Sequence, residues 1–286
     1  MRLVLPGANK RESDRWVLLP RLCCQAAGGD PELTEEISAA WLLLYIAAHL
    51  VDKVEDQEKA DLIDILGGPG STINVANGLF VSASEILNSL LEKELREGIA
   101  GKIIADFLRT ILIMTSGQHL DINNQQLTLE DWWRVAEAKS GSFFSLACRS
   151  GSQLATDDPA RVKAYSDYGF HLGMMLQVRD DFDDLKIFLE NDHSINLKKS
   201  LAISYALEVM PRRSKSQLVE YTEHLPHQPE IVSEIVEILN QSGVGLYMLA
   251  ELDRHYQQGK TALENAGPIS PAGEILNTLL SDLELE

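Results

Sequence analysis

Apolar residues spaced three to four apart dominate this chain, in long runs with few internal Gly or Pro. After the helix-start pair Asp30-Pro31, the positions Leu33, Ile37, Ala40, Leu44 and Ala48 form one such stripe, the 3.6-residue period of a helix with one buried face. The same spacing predicts long helices over 74–95, 98–120, 165–189 and 244–264. Shorter ones are predicted over 142–154, 200–209, 214–223, 229–240 and 271–285. Thr128-Leu129-Glu130-Asp131 reads as another helix start, with acidic residues in the first turn. The stretch Gly67-Gly68-Pro69-Gly70 reads as a loop. No segment alternates like a strand between hairpin turns, and no repeat period is present. A chain patterned this way cannot build a sheet. The expected architecture is all-α: a single-domain helical bundle over residues 1–286, around a central apolar cavity.

Composition narrows the function. With 45% hydrophobic residues over 286 positions, the chain can bury a substantial core and is no disordered tail. The net charge of -18 repels phosphate backbones and argues against a nucleic-acid partner. A small phosphorylated substrate stays compatible, because a metal ion can reverse the sign locally. Cys23, Cys24 and Cys148 read as reduced core thiols, which suits a cytoplasmic protein. Met1 to Leu5 is too short for the apolar part of a signal peptide. The longest apolar stretch, Ala39 to Val51, falls short of the ~20 residues of a spanning helix, so no integral membrane segment is expected.

Two acidic clusters carry the chemistry: Asp52-Lys53-Val54-Glu55-Asp56 and Asp180-Asp181-Phe182-Asp183-Asp184. Each lies at or near the end of an apolar helix. Residues four apart share a helix face, so Asp52 pairs with Asp56 and Asp180 with Asp184. Each pair repels itself when ionised unless a cation bridges it. Two such pairs facing one another make an all-oxygen site suited to Mg2+, an ion completed by substrate phosphates. Taken singly, either cluster is equally a solvated helix end in an acidic protein. Four Asp after the apolar run 169–178 make the metal site the better reading.

Residues 173–185 resemble the second aspartate-rich motif of the trans-isoprenyl diphosphate synthases, the polyprenyl synthetase family, and Asp52 to Asp56 sit where the first such motif belongs. Gly28-Gly29-Asp30-Pro31, Gly117-Gln118-His119-Leu120-Asp121, Lys139-Ser140 and Lys199-Ser200-Leu201 resemble further landmarks, in the right order. The resemblance implies that Asp52, Asp56, Asp180 and Asp184 hold Mg2+ against an allylic prenyl diphosphate. It implies that Lys139, Gln177 and Lys199 contact diphosphate oxygens. Gln118 and Asp121 read equally as contacts or as a polar helix-end network. It also implies a homodimer. Ala47 and Ala48, one turn before Asp52, stand where bulky residues stop the prenyl tail in this family. Alanines there predict a pocket for roughly fifteen to twenty carbons, with one turn of helix per isoprene unit. Phe143 or Phe144 is the alternative floor, and His49 reads as a helix-face histidine rather than a base.

The departures from the pattern name the reaction. Lys53 replaces the second Asp of the first motif, and Tyr45 replaces the histidine two turns before it. Residues 57–70 contain no Arg where the family has a pair, and Lys10, Arg11 and Arg15 lack the family's spacing. In the family these groups hold isopentenyl diphosphate, and a bare diphosphate needs several cationic donors. The expected enzyme is therefore a Mg2+-dependent prenyltransferase that ionises an allylic diphosphate and elongates poorly, if at all, with isopentenyl diphosphate. A terpene cyclase of the same fold is the runner-up. A non-catalytic subunit or helical scaffold ranks last.

Overall fold

The computed structural model describes residues 16–55, 61–124, 126–189, 197–224 and 231–284. The helices are α1 (Leu19–Ala26), α2 (Glu35–Glu55), α3 (Asp61–Ile65), α4 (Pro69–Asn88), α5 (Ile99–Asn123), α6 (Leu129–Ala136), α7 (Ser142–Ala155), α8 (Pro159–Leu189), α9 (Leu201–Val209), α10 (Arg212–His224), α11 (Val232–Ser242), α12 (Val244–Ala266) and α13 (Ala272–Ser281). Tight 3-10 turns occupy Pro31–Thr34 and Ser89–Glu92, and one π-helical turn, Glu137–Gly141, joins α6 to α7. Among the described residues there is no strand.

The helix starts follow local chemistry. Asp30 accepts a hydrogen bond from the Glu32 N–H at 3.0 Å, and Thr128 accepts one from the Asp131 N–H at 3.1 Å. Ser200 caps α9 through the Ile203 N–H at 3.4 Å. One boundary differs from expectation: α4 opens at Pro69, inside the stretch read as a loop. Gly68, at φ +96°, makes the left-handed entry that other residues rarely adopt, and Pro69 supplies a helical φ at the first position.

Helix α8 is the spine. It packs along α7 on one side and along α12 on the other, while α2 packs against α4 and α1 against α7. Tyr165, Tyr168, Leu172, Met174, Met175 and Val178 of α8 are fully buried. Each large apolar side chain so buried contributes roughly 1.5–3 kcal/mol. A second, smaller core of Ala47, Leu50 and Ala76 lies between α2 and α4. The segment Pro31–Glu55 is long and apolar enough to cross a bilayer, longer than the stretch picked out from sequence. It places Ile37, Ala40, Trp41, Leu44, Ala47 and Leu50 in the interior. Cys23, Cys24 and Cys148 are free thiols and buried.

Close approach of α8 to α7 depends on Gly169 and Gly173. A Cβ at Gly169 would collide with the Phe144 carbonyl, and one at Gly173 with the Ser140 carbonyl. Gly173→Ala should destabilise the protein by about 1–3 kcal/mol, because the obstacle is backbone and cannot rotate away. It should also weaken activity by shifting the π-helical turn that carries Lys139. A urea titration showing unchanged stability would remove this packing argument.

Candidate active site

The ends of α2, α5 and α8 and the π-helical turn converge on a cluster of charged groups. The extra residue of a π-turn re-aims side chains, and such turns recur at functional sites. This one carries Lys139, whose Nζ donates to Asp52 Oδ1 at 2.8 Å and to Asp121 Oδ2 at 3.2 Å. Lys199 reaches the same aspartate from the start of α9. It donates to the Asp121 backbone carbonyl at 2.6 Å and lies 3.3 Å from its carboxylate. Asp121 is therefore the hub that orients two lysines. Burial pulls the Lys139 ammonium down, but Asp52 and Asp121 outweigh it and hold its pKa above the ordinary value.

The five-residue run at the end of α8 divides its labour. Asp183 accepts from Arg179 Nε at 3.1 Å. Asp181 turns inward and accepts from the Leu201 N–H at 2.5 Å, with further hydrogen bonds from Trp132 and Gln177. It thereby ties the Lys199–Leu201 segment to α8. Asp180 and Asp184 remain exposed to solvent. The protein mass around Asp180, reinforced by Asp181, Asp184 and Asp183, lifts its carboxyl to about 7. Surrounding protein and Asp183 raise Asp184 as well. Groups that raise one another in this way suit a divalent cation.

Tyr45 lies within electrostatic reach of one aspartate from each cluster. Burial first, then Asp180 and Asp52, push its phenol well above the ordinary range, so the hydroxyl stays protonated and feels both carboxylates. Below it runs an aromatic wall. Tyr45 lies 6.0 Å from Phe143, which stacks on Trp41 at 4.4 Å, and Trp41 Nε1 donates to the Phe143 carbonyl at 3.1 Å. Phe143 is the inward one of the phenylalanine pair, while Phe144 is half-buried. His49 stacks against Tyr45 at 6.0 Å.

Gln118 donates to Glu55 Oε2 at 2.9 Å, which joins α5 to the end of α2. Gln177 accepts from Ser140 Oγ at 2.8 Å. Ala47 faces α4 in the small core, and Ala48 is half-buried on the next face. Asp56 lies outside the described residues, as do Lys10, Arg11 and Arg15. Among the described residues, no group of three or more acidic, histidine or cysteine side chains is placed to hold a metal ion. Mg2+ does not require one, since it is typically held by one or two carboxylates with water and substrate phosphates. A groove of about 540 Å³ between α8 and α12 lies apart from this cluster.

Sequence reasoning gave Asp181 and Glu55 no role beyond their clusters and Ser140 none beyond its motif, and it did not name Trp132. A clue to Asp181 was present, because the Ser200 helix start leaves backbone N–H groups needing acceptors.

Known proteins share this geometry's framework. The chain is 23% identical over 263 residues to the short chain isoprenyl diphosphate synthase of Methanothermobacter thermautotrophicus, covering 86% of this chain and 78% of that one. It is 23% identical over 222 residues to the tryptophan prenyltransferase ComQ of Bacillus subtilis subsp. natto, covering 77% and 66%. Its fold matches geranylgeranyl pyrophosphate synthetase from Pyrococcus horikoshii Ot3 with a TM-score of 0.82 at 20% identity, over 97% of this chain and 86% of that one. The family model for polyprenyl synthetase matches residues 19–239, most of the chain and all of the charged cluster. This protein belongs to the polyprenyl synthetase family, enzymes that act on allylic prenyl diphosphates.

Proposed function

We propose that this protein ionises an allylic prenyl diphosphate with the help of Mg2+ and transfers the prenyl group to an acceptor other than isopentenyl diphosphate. The observation that carries this reading is the asymmetry of the cluster. Lys139 and Lys199 gather beside Asp52 and Asp121, whereas Tyr45, where a second diphosphate would need a cation, presents a neutral phenol to Asp52 and Asp180. The similarity to ComQ, a tryptophan prenyltransferase, supports an acceptor without a diphosphate. A solved relative from Corynebacterium glutamicum, 20% identical, holds calcium and isoprenyl diphosphate, which supports a divalent cation beside the allylic substrate.

In this mechanism the C–O bond of the allylic diphosphate breaks, leaving a delocalised carbocation and a highly charged leaving group. Mg2+ ions, which Asp52 with Asp56 and Asp180 with Asp184 would each hold through one or two carboxylates, would neutralise charge on that leaving group. Lys139 has three donors, two of them on Asp52 and Asp121, so one remains for a phosphate oxygen. Lys199 adds a second cation. Asp181 and Gln177 keep these groups in register through Leu201 and Ser140. The faces of Tyr45 and Phe143 shield the carbocation from water and attract it. The acceptor donates its electron pair to the allylic carbon and then sheds a proton.

The test is incubation with prenyl diphosphates of several lengths, with and without isopentenyl diphosphate, and with a tryptophan-containing peptide. Product masses should show prenyl transfer without chain elongation. Saturable elongation at micromolar isopentenyl diphosphate would overturn the acceptor assignment.

The tail should run from the acidic mouth toward the aromatic wall. Tyr45 lies seven residues before Asp52, about 10 Å along α2. Tyr45→Ala should therefore shift preference toward longer allylic substrates, and Ala48→Phe toward shorter ones. Unchanged length preference in both variants would mean that the tail runs elsewhere.

A second copy of the chain is the proposed partner. Val75 and Val81 of α4 and Leu108, Leu112 and Ile113 of α5 are exposed, an apolar surface that association would cover. Sedimentation of a single 31.7 kDa species at working concentration would contradict a homodimer.

A further inference from the structure

Away from the acidic cluster, His171 of α8 and His255 of α12 face each other with their Nδ1 atoms 2.9 Å apart. The hydrogen-bond arithmetic of this contact is closed. His255 is 3% exposed, and its Nε2 lies 3.0 Å from the Arg254 guanidinium, which can only donate. His255 Nε2 is therefore a lone pair and its proton sits on Nδ1. That proton is donated to His171, whose Nδ1 must be the acceptor and whose proton sits on Nε2. Both rings are neutral, each in a defined tautomer. An added proton on either ring turns one donor-acceptor contact into two N–H groups pointing at each other, or points an N–H at Arg254.

The charged groups around the pair are few. On α8 these are Lys163 and Asp167, themselves an ion pair at 2.5 Å. On α12 it is Arg254, with Glu251 beside it at 2.5 Å. From α6 comes Trp133, uncharged, with its ring 5.8 Å from His255 and also 5.8 Å from the Arg254 guanidinium carbon. Leu280 approaches from α13. Asp167 alone favours a charged His171, and Lys163 and Arg254 oppose it. Burial, then Arg254 and His171, push the His255 ring down to about 3, and burial also lowers His171. The solvent-open groove of about 540 Å³ between α8 and α12 is lined by Lys163, Asp167, His171, Gln258, Thr261 and Asn265, and it gives protons a route to the half-buried ring.

We propose that His171 and His255 form a proton-sensitive latch, which clamps α12 onto the helix bearing the second acidic cluster and releases it under acidic conditions. His171 lies nine residues before Asp180, about two and a half turns along the same helix. The latch thus secures the outer side of the element whose far end carries Asp180, Asp181 and Asp184. Its sign follows from the depressed pKa values. The stabilisation is complete above the unfolded value of about 6.5 and is lost as the pH falls below it, because only the unfolded chain then binds protons at these rings.

Two measurements on the full chain test this. Nitrogen NMR of 15N-histidine-labelled protein should find His255 protonated on Nδ1 and His171 on Nε2, with both rings taking up a proton only below the ordinary histidine range. Titration of both rings near 6.5 in the folded protein would overturn the latch. Urea unfolding of the wild type and of the His171→Asn/His255→Asn double variant should then be compared at pH 7.5 and 5.5. The paired amides keep one donor and one acceptor but cannot titrate. Relative to the variant, the wild-type folded-to-unfolded ratio should fall about tenfold over that interval through His255, and further through His171. Equal pH dependence would overturn the proposal. Should the double variant fail to fold, His171→Asn alone retains the acceptor toward His255 and should remove its share of the dependence.

Discussion

Asp180→Ala should lower turnover of an allylic prenyl diphosphate by at least about a hundredfold, a loss of roughly 3–4 kcal/mol of transition-state stabilisation. The fold should hold. Asp180 is exposed, crowded by Asp181, Asp184 and Asp183, and its carboxyl is already raised to about 7. Deleting one like charge relieves repulsion, so the melting temperature without added Mg2+ should stay level or rise. Initial rates and a thermal scan on the same preparation separate the two effects. Unchanged turnover would remove Asp180 from the proposed metal site, whereas lost turnover with a large fall in melting temperature would reassign it to structure.

Lys139→Met should produce the second large effect, with the opposite sign on stability. Removing the ammonium leaves Asp52 and Asp121 without the partner that lies between them at 2.8 and 3.2 Å. Loss of a charged hydrogen-bond partner at a part-buried site costs about 1–3 kcal/mol. Added Mg2+ should restore part of that loss, because an ion bound to Asp52 replaces the missing positive charge and stabilises the folded state by mass action. The Mg2+-induced rise in melting temperature should therefore be larger in the variant than in the wild type. Turnover should still fall, since an ion at Asp52 does not replace the lysine donor to a phosphate oxygen. An equal Mg2+ response in both proteins would show that Asp52 does not contribute to metal binding.

These two variants also separate roles that the family pattern groups together. Lys199 reaches the cluster by way of Asp121, and its segment is held by Asp181 through the Leu201 N–H. Asp181 thus ties the Lys199–Leu201 segment to α8 from within, while Asp180 is exposed, on the side where the proposed substrate would bind. Its pKa is raised to about 7 by desolvation even though three hydrogen bonds favour its charged form.

Features that depend on neighbours a few residues away were legible in the chain alone. The apolar period made the helices, and Asp30, Thr128 and Ser200 marked their starts because a capping side chain reaches only two or three residues along its own backbone. The spacing of Asp180 and Asp184 put both on one face for the same reason. The order of the motifs identified the family, since it reflects the same chain of local elements. Long-range partnerships came only with the packed helices. Lys139 finds Asp52 across 87 residues, Gln118 finds Glu55 across 63, and His171 finds His255 across 84. Periodicity states which face of a helix is buried, but not which other helix covers it. Ala47 and Ala48 are indistinguishable in sequence, yet one packs on α4 and the other sits on the next face. Such partnerships depend on the rotation and offset of each helix against its neighbour, which are set by the fit of the whole core.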